Sequence, residues 1–356
     1  MKILLAGGGT MGPVTPLLAI AERWKNIDPT VEFVWVGTKH GPERSAVQDE
    51  GIPFLYVPVA RLPRYFSWEW LALPYNLVRA LILAWLILGR EKPDLIVSAG
   101  GFTGVPVIMT GWLRRIPAWV HQQDAVPLLA NRLVIPFVKI ITVAWQSSLK
   151  SFPKNKTKWV GNPVRPSILA GKRDKAYEIF HLDLRLPTVL IFGGGSGSSW
   201  LNHMFEEIGG WLESQANVIH ITGRGKIKRK LEHMGPHYHT YEFLTHEMAH
   251  ALAAATVVVA RAGMGTIAEL AALRKPAVLI PLPSSLQEEN VKPLKAMKAA
   301  VILRQRTTTT GDLKKAISDL LDNKPTRDEL SERLHELLPT EVEESLVEFV
   351  KSKCLK

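Results

Sequence analysis

Apolar residues in this chain fall into short dense runs, separated by longer stretches whose apolar positions recur every three or four residues. Runs at 3–6, 31–36, 95–98, 118–121 and 140–143, rich in β-branched residues, read as strands. Helical spacing fills the intervals, as at 16–24 and 76–88. The alternation begins afresh in the second half, with strands at 189–192, 218–222, 257–260 and 277–281 and helices at 201–215, 266–272 and 289–298. Strands without polar alternation are covered on both faces, and a βα series predicts a mostly parallel, doubly wound sheet. Two such series predict an α/β chain of two Rossmann-like domains facing a cleft, at residues 1–160 and 167–335. The segment Gly161-Asn162-Pro163-Val164-Arg165-Pro166, with its two prolines and glycine, reads as the hinge (161–166), and a charged helical tail occupies 336–356.

The length of 356 residues supports two cores rather than one. With 46% hydrophobic and 22% charged residues the composition is that of a water-soluble globular protein. A single cysteine, Cys354, excludes a disulfide framework and fits a reducing compartment. The run Met1-Lys2-Ile3-Leu4-Leu5-Ala6 meets glycine too soon to hold a signal-peptide core and reads as the first strand. Net charge is +11, and it is uneven: residues 1–165 carry 19 Lys and Arg against 10 Asp and Glu, the remainder 25 against 23. A basic first half implies an anionic partner: a membrane, a phosphorylated substrate or nucleic acid.

The stretch 70–88 is apolar enough to need an explanation, yet Pro74, Asn76 and Arg79 inside it argue against a bilayer span. Two readings remain, a core-packed helix and an interfacial one. The interfacial reading draws on Arg61, Arg64, Arg79, Arg90, Arg114 and Arg115 accompanying Trp68, Trp70, Trp85 and Trp112, the residue pair that a headgroup layer favours. The readings differ in the burial they require of Leu81 and Trp85.

Glycine-rich turns follow the first strand of each half: Gly7-Gly8-Gly9-Thr10-Met11-Gly12 and Gly193-Gly194-Gly195-Ser196-Gly197. At a strand-to-helix junction such a turn lets a phosphate or sugar reach backbone N–H groups at a positive helix end. Gly7, Gly9 and Gly12 match G-x-G-x-x-G, but a dinucleotide site also needs a carboxylate closing the second strand, and that strand runs into Gly37-Thr38. NAD is therefore not expected. A stronger signal is Arg261-Ala262-Gly263-Met264-Gly265-Thr266-Ile267-Ala268-Glu269, after the strand at 257–260. Its glycines bare helix N–H groups for a diphosphate, and Glu269, one turn beyond Thr266, can accept ribose hydroxyls. The same Thr-x-x-Glu also reads as a plain capping box.

Taken in order, these pieces resemble the MurG family of N-acetylglucosaminyltransferases, two-domain enzymes of the GT-B type. The resemblance covers essentially the whole chain. It rests on Gly8-Gly9-Thr10-Met11-Gly12-Pro13-Val14-Thr15-Pro16, Gly100-Gly101-Phe102-Thr103-Gly104-Val105-Pro106, and His121-Gln122-Gln123-Asp124 with Asn131. Gly161-Asn162-Pro163-Val164-Arg165, the second glycine turn, the run from Arg261 to Glu269, and Gln287-Glu288-Glu289-Asn290 complete it. It implies that the second domain binds UDP-N-acetylglucosamine. Leu244 would meet uracil there, with Arg165 beside the nucleotide, Gly195 and Ser196 bordering the phosphates, and Met264, Gly265 and Thr266 capping the diphosphate. Glu269 would hold the ribose, and Gln287 and Asn290 the sugar. The first domain would take a lipid-linked MurNAc-pentapeptide, lined by Thr10, Met11, Gly12 and Asn131. The protein would then sit peripherally on the cytoplasmic face of an anionic membrane.

The chain departs from the family where the chemistry lies. Gly-Thr-Gly-Gly-His of the first turn is here Gly9-Thr10-Met11-Gly12-Pro13, and His-Glu-Gln-Asn is His121-Gln122-Gln123-Asp124. Gly195 stands where serine is usual. An inverting transfer needs a base, and Asp124 and His121 are the remaining candidates. No Asp-x-Asp occurs, so neither a bridging metal nor any other cofactor is expected; the helix start at 263–266 would steady the leaving UDP instead. Competing readings are a transferase for another lipid acceptor, a UDP-sugar binder that has lost turnover, a sugar-nucleotide epimerase and a nucleic-acid binder. The last is disfavoured because the basic residues are scattered among prolines and tryptophans.

Overall fold

The computed structural model of the chain describes residues 1–41, 43–58, 69–227, 229–232, 234–339 and 344–354. The described residues divide into two compact units, one of Met1–Arg165 with Glu341–Lys356, the other Pro166–Thr340.

In the first unit β1 (Lys2–Ala6), β2 (Glu32–Gly37), β3 (Phe54–Tyr56), β4 (Leu95–Ser98), β5 (Ala118–Gln122), β6 (Ile140–Val143) and β7 (Thr157–Trp159) form one sheet. Its order is β3-β2-β1-β4-β5-β6-β7, with every neighbouring pair parallel. The second unit repeats the plan with β8 (Thr188–Phe192), β9 (Asn217–Ile221), β10 (Tyr238–Tyr241), β11 (Val257–Ala260), β12 (Ala277–Leu279) and β13 (Val301–Ile302), in the order β10-β9-β8-β11-β12-β13. Its pairs are parallel too. Each unit is therefore a doubly wound, Rossmann-like α/β domain. Four strands have no counterpart in the sequence reading: β3, β7, β10 and β13, which are the four sheet edges.

The apolar runs are explained by period-2 alternation between two cores. Ile3, Leu5, Phe33, Trp35, Leu95, Val97 and Trp119 point to one face of the first sheet. Leu4, Ala6, Val34, Val36, Ile96, Ala118 and Val120 point to the other. With both faces covered by helices, every position along a strand must be apolar. The helix Val14–Ile27 covers the first face with Leu17, Leu18, Ile20, Ala21 and Trp24. The C-terminal helix Glu344–Cys354 adds Leu346, Val347, Val350 and Cys354 to that same core. Burial raises the Cys354 thiol to about 11, so it is an inert packing group.

In both sheets the winding reverses between the first strand and its fourth, at β1/β4 and at β8/β11. Loops leaving the C-terminal ends of such a strand pair diverge and open a crevice for ligands. The two glycine turns follow β1 and β8, and the run from Arg261 to Glu269 follows β11.

Candidate functional site

In the first unit the turns after β1 and β4 touch through bare backbone. A Cβ on Gly101, whose φ is +85°, would lie 3.2 Å from the Gly8 carbonyl oxygen. A Cβ on Gly100 would lie 3.4 Å from Asn131 Oδ1, and one on Gly12 would lie 3.4 Å from Gln123 Nε2. Thr10, Met11, Gly12, Gln123, Asp124 and Asn131 therefore share one end of the sheet. Thr10 and Gly12 are exposed there, Met11 is half-buried, and Gln123, Asp124 and Asn131 are buried.

The carboxylate missing from the end of β2 is supplied by Glu43, on the helix Glu43–Asp49. It is fully buried, and it accepts from Thr38 N at 2.7 Å, Thr38 Oγ1 at 2.6 Å and Gly9 N at 3.2 Å. These bonds hold the first glycine turn in place and leave the carboxylate facing protein N–H and O–H groups rather than a ribose.

His121, the penultimate residue of β5, has no exposed surface. Trp119 Nε1 donates to Thr142 Oγ1 at 2.8 Å, and that hydroxyl lies 2.9 Å from His121 Nδ1. The other ring nitrogen, Nε2, lies 3.0 Å from Asn162 Oδ1. Thr142 accepts from Trp119 and donates its O–H to the unprotonated Nδ1, so Nε2–H donates to the Asn162 carbonyl oxygen. Burial lowers the imidazole to about 4, although the Asn162 bond opposes the shift. It is neutral near pH 7 with both nitrogens engaged by protein. Arg165, at the end of this unit, places Nη1 3.3 Å from Glu50 Oε1.

In the second unit the turn at 193–198 packs on the residues after β9. A Cβ on Gly197 (φ +69°) would lie 2.1 Å from the Thr222 carbonyl oxygen, so no larger residue fits. Ser198 caps the helix Ser199–Glu213 by accepting from Leu201 N. Its hydroxyl also accepts from Arg261 Nη2 at 2.8 Å and Nε at 3.2 Å, while Arg261 Nη1 donates to Ile280 O at 3.2 Å. Arg261 thus ties the turn after β8 to the end of β12. Burial lowers its guanidinium to about 10, which leaves it charged at neutral pH, with a hydroxyl and carbonyls as partners. Lys226 Nζ donates to the Ser196 carbonyl oxygen at 2.8 Å. Gly195 and Ser196 themselves are exposed.

The helix Met264–Ala272 begins at the N-cap Gly263, which supplies no side-chain cap. Thr266 lies inside the helix, so Thr266 and Glu269 do not form a capping box. The first-turn N–H groups of Met264, Gly265 and Thr266 form a positive terminus beside buried Arg261. Glu269 is half-buried one turn on, and Leu244 is half-buried in the loop after β10. Gln287 Oε1 accepts from Leu282 N at 2.9 Å, in the first turn of the helix Leu286–Ala296, and Asn290 is buried on the same helix.

The glycosyltransferase family 28 N-terminal domain matches residues 3–143, and its C-terminal domain matches residues 188–345. The chain belongs to glycosyltransferase family 28. A family 28 relative from Clostridium botulinum (strain Alaska E43 / Type E3), the UDP-N-acetylglucosamine–N-acetylmuramyl-(pentapeptide) pyrophosphoryl-undecaprenol N-acetylglucosamine transferase, is 35% identical over 91% of this chain and 90% of its own. The enzyme of the same name from Legionella pneumophila (strain Paris) is 32% identical over 99% and 97%. The fold matches the crystal structure of Acinetobacter baumannii MurG with a TM-score of 0.74 at 23% identity, covering 99% of both chains.

Three residues held at these turns are not singled out by the sequence pattern. Glu43 is one; its signal is the unexplained carboxylate behind a glycine turn. Arg261 is legible in the sequence as the first residue of a motif, without a partner of its own. Gln123 is the third. It is buried against Gly12, with an Oε1 that has no hydrogen-bond partner among the described residues.

Proposed function

We propose that this enzyme transfers N-acetylglucosamine, with inversion, from UDP-N-acetylglucosamine to the MurNAc of an undecaprenyl-pyrophosphoryl-MurNAc-pentapeptide. The observation that carries the donor half is the uncapped start of the helix Met264–Ala272 next to buried, charged Arg261. Together they supply positive potential where the leaving diphosphate gathers charge. Met264, Gly265 and Thr266 cap the diphosphate, and Gly195 and Ser196 border it. Glu269 holds the ribose, Leu244 meets uracil, Gln287 and Asn290 reach the sugar, and Arg165 serves the nucleotide. The acceptor half uses Thr10, Met11, Gly12 and Asn131.

Asp124 is the base that takes the acceptor hydroxyl proton. His121 is not given that role, because it has no exposed surface and both ring nitrogens are bonded within the protein. It anchors the end of β5 instead.

The acceptor's lipid calls for a membrane-facing surface, and the helix Glu69–Glu91 supports one. Ala80, Ala84 and Leu88 are buried, whereas Val78, Ile82, Trp85 and Leu86 on the opposite side are exposed. Trp85 is 43% and Leu86 59% exposed, and Leu81 is half-buried, so the helix is apolar on its outer side as well as its inner one. Trp112 and Leu113, on the neighbouring helix Gly104–Leu113, extend the patch, and the Arg114 guanidinium stacks 3.9 Å from the Trp85 ring centroid. An exposed apolar patch rimmed by arginine suits an anionic bilayer surface. No helix among the described residues is long and apolar enough to cross a membrane. Arg61, Arg64 and Trp68 lie outside the described residues, as does the side chain of Trp70.

The test is incubation with UDP-N-acetylglucosamine and a short-chain pyrophosphoryl-MurNAc-pentapeptide lipid, without added metal. Lipid-linked disaccharide supports the reading. Donor binding without product, or free sugar released in the absence of acceptor, overturns it.

A further inference from the structure

Gln122, the last residue of β5, is wholly buried and has every hydrogen-bonding position of its amide engaged. Its Nε2 donates to the carbonyl oxygens of Asp124 at 2.8 Å and Val126 at 3.0 Å. Its Oε1 accepts from Leu128 N at 3.2 Å and Asn131 Nδ2 at 2.8 Å. The carbonyl between the first two, that of Ala125, accepts from Ser148 Oγ at 3.0 Å. Three successive carbonyls of the segment that carries Asp124 are thus held by side chains, two of them by Gln122.

The backbone fixes which way this amide points. Two carbonyl oxygens face one end and an N–H faces the other, so a flipped amide would set oxygen against oxygen. Glutamine meets this turn with two donors and an acceptor on one planar group. Ionised glutamate has the same shape and offers no donor; it would aim its charge at two carbonyl oxygens. Methionine fills the same space and bonds to none of them.

We propose that Gln122 is the positioning residue for Asp124: its amide builds the turn at 123–128 and so sets where the carboxylate meets the acceptor hydroxyl. This rests on the reading of Asp124 as the base. Reaction rates fall steeply with small misplacements of a reacting group, on the order of 10²-fold for about 1 Å. The position is therefore a lever on turnover, although Gln122 does not itself need to touch substrate.

The experiment compares wild type with Gln122→Met, Gln122→Glu and Asp124→Asn, measuring the pH dependence of kcat and the KM for UDP-N-acetylglucosamine. A thermal melt confirms that each variant is folded at the assay temperature. Gln122→Met should lower the kcat plateau on the order of 10²-fold, leaving the donor KM and the acidic limb in place. Gln122→Glu should lower the plateau as well, and its added charge beside Asp124 should move the acidic limb to higher pH. A Gln122→Met plateau equal to wild type overturns the proposal. If Asp124→Asn turns over normally, the base assignment fails and this proposal falls with it. If Asp124→Asn is inactive and both Gln122 variants behave as wild type, only the positioning role is lost. Should the Gln122 variants not fold, Ser148→Ala tests the same turn by removing the donor to Ala125. A severalfold lower kcat at unchanged donor KM supports the proposal, and an unchanged kcat overturns it.

Discussion

His121 Nε2 lies 3.0 Å from Asn162 Oδ1, and this bond fastens the end of β5 to the segment through which the chain leaves its first unit. It makes His121 a structural residue with a pH signature. Burial lowers its pKa from 6.5 to about 4. Between those values the unfolded chain binds a proton that the folded chain refuses, so stability is complete above pH 6.5 and falls as pH drops towards 4. For a wholly buried group this shift amounts to about 3 kcal/mol. His220 follows the same rule: it is buried between Tyr238 and Asn202 and lowered to about 3. Acid should therefore weaken both units. NMR titration of the His121 ring checks this: the imidazole should stay neutral down to pH 5, and an inflection near 6.5 would contradict the assignment.

Arg261 is expected to govern donor affinity. Its planar guanidinium reaches Ser198 on one side and Ile280 on the other, which a lysine ammonium cannot match. Arg261→Lys and Arg261→Met should weaken UDP-N-acetylglucosamine binding by about 10- to 100-fold. Calorimetric titration with the sugar nucleotide reads this directly.

Gly197→Ala should destabilise the second unit by about 2 kcal/mol or more, because φ is positive and Thr222 O occupies the space a methyl would need. Gly194→Ala is the informative companion. That residue also has a positive φ (+82°), but nothing lies within 4 Å of its would-be Cβ, so only backbone strain remains. Chemical denaturation of both variants should rank Gly197→Ala as the more damaging.

Leu86→Glu, on the exposed side of the helix Glu69–Glu91, should reduce binding to anionic vesicles by about 10- to 100-fold, the cost of losing one buried leucine. Turnover of a water-soluble short-chain acceptor should be unchanged. Flotation with vesicles of anionic phospholipid, set beside the soluble assay, separates the two effects.

What the sequence disclosed follows the physics of burial. Strands covered on both faces announce themselves as apolar runs, and β4, β6 and β11 have the bounds the runs gave them. The four edge strands did not announce themselves. β3, β7, β10 and β13 are short and mostly half-buried, and residues such as Lys158, His239 and Thr240 break the pattern. The glycine turns were legible because positive φ and close backbone approach leave glycine as the residue that fits. Roles that depend on partners distant in sequence were not legible. Glu43 reaches Gly9 across 34 residues, and Arg261 reaches Ser198 across 63. The enclosure of His121 depends on Thr142 and Asn162, which no local pattern around residue 121 reveals.

The most direct measurement is the rate of lipid-linked disaccharide formation by wild type and Asp124→Asn at saturating UDP-N-acetylglucosamine. The account predicts product from the wild type, a turnover lower by about 10²- to 10⁴-fold for Asp124→Asn, and equal donor affinity in both. Equal turnover in the two proteins, or no disaccharide from the wild type, would contradict it.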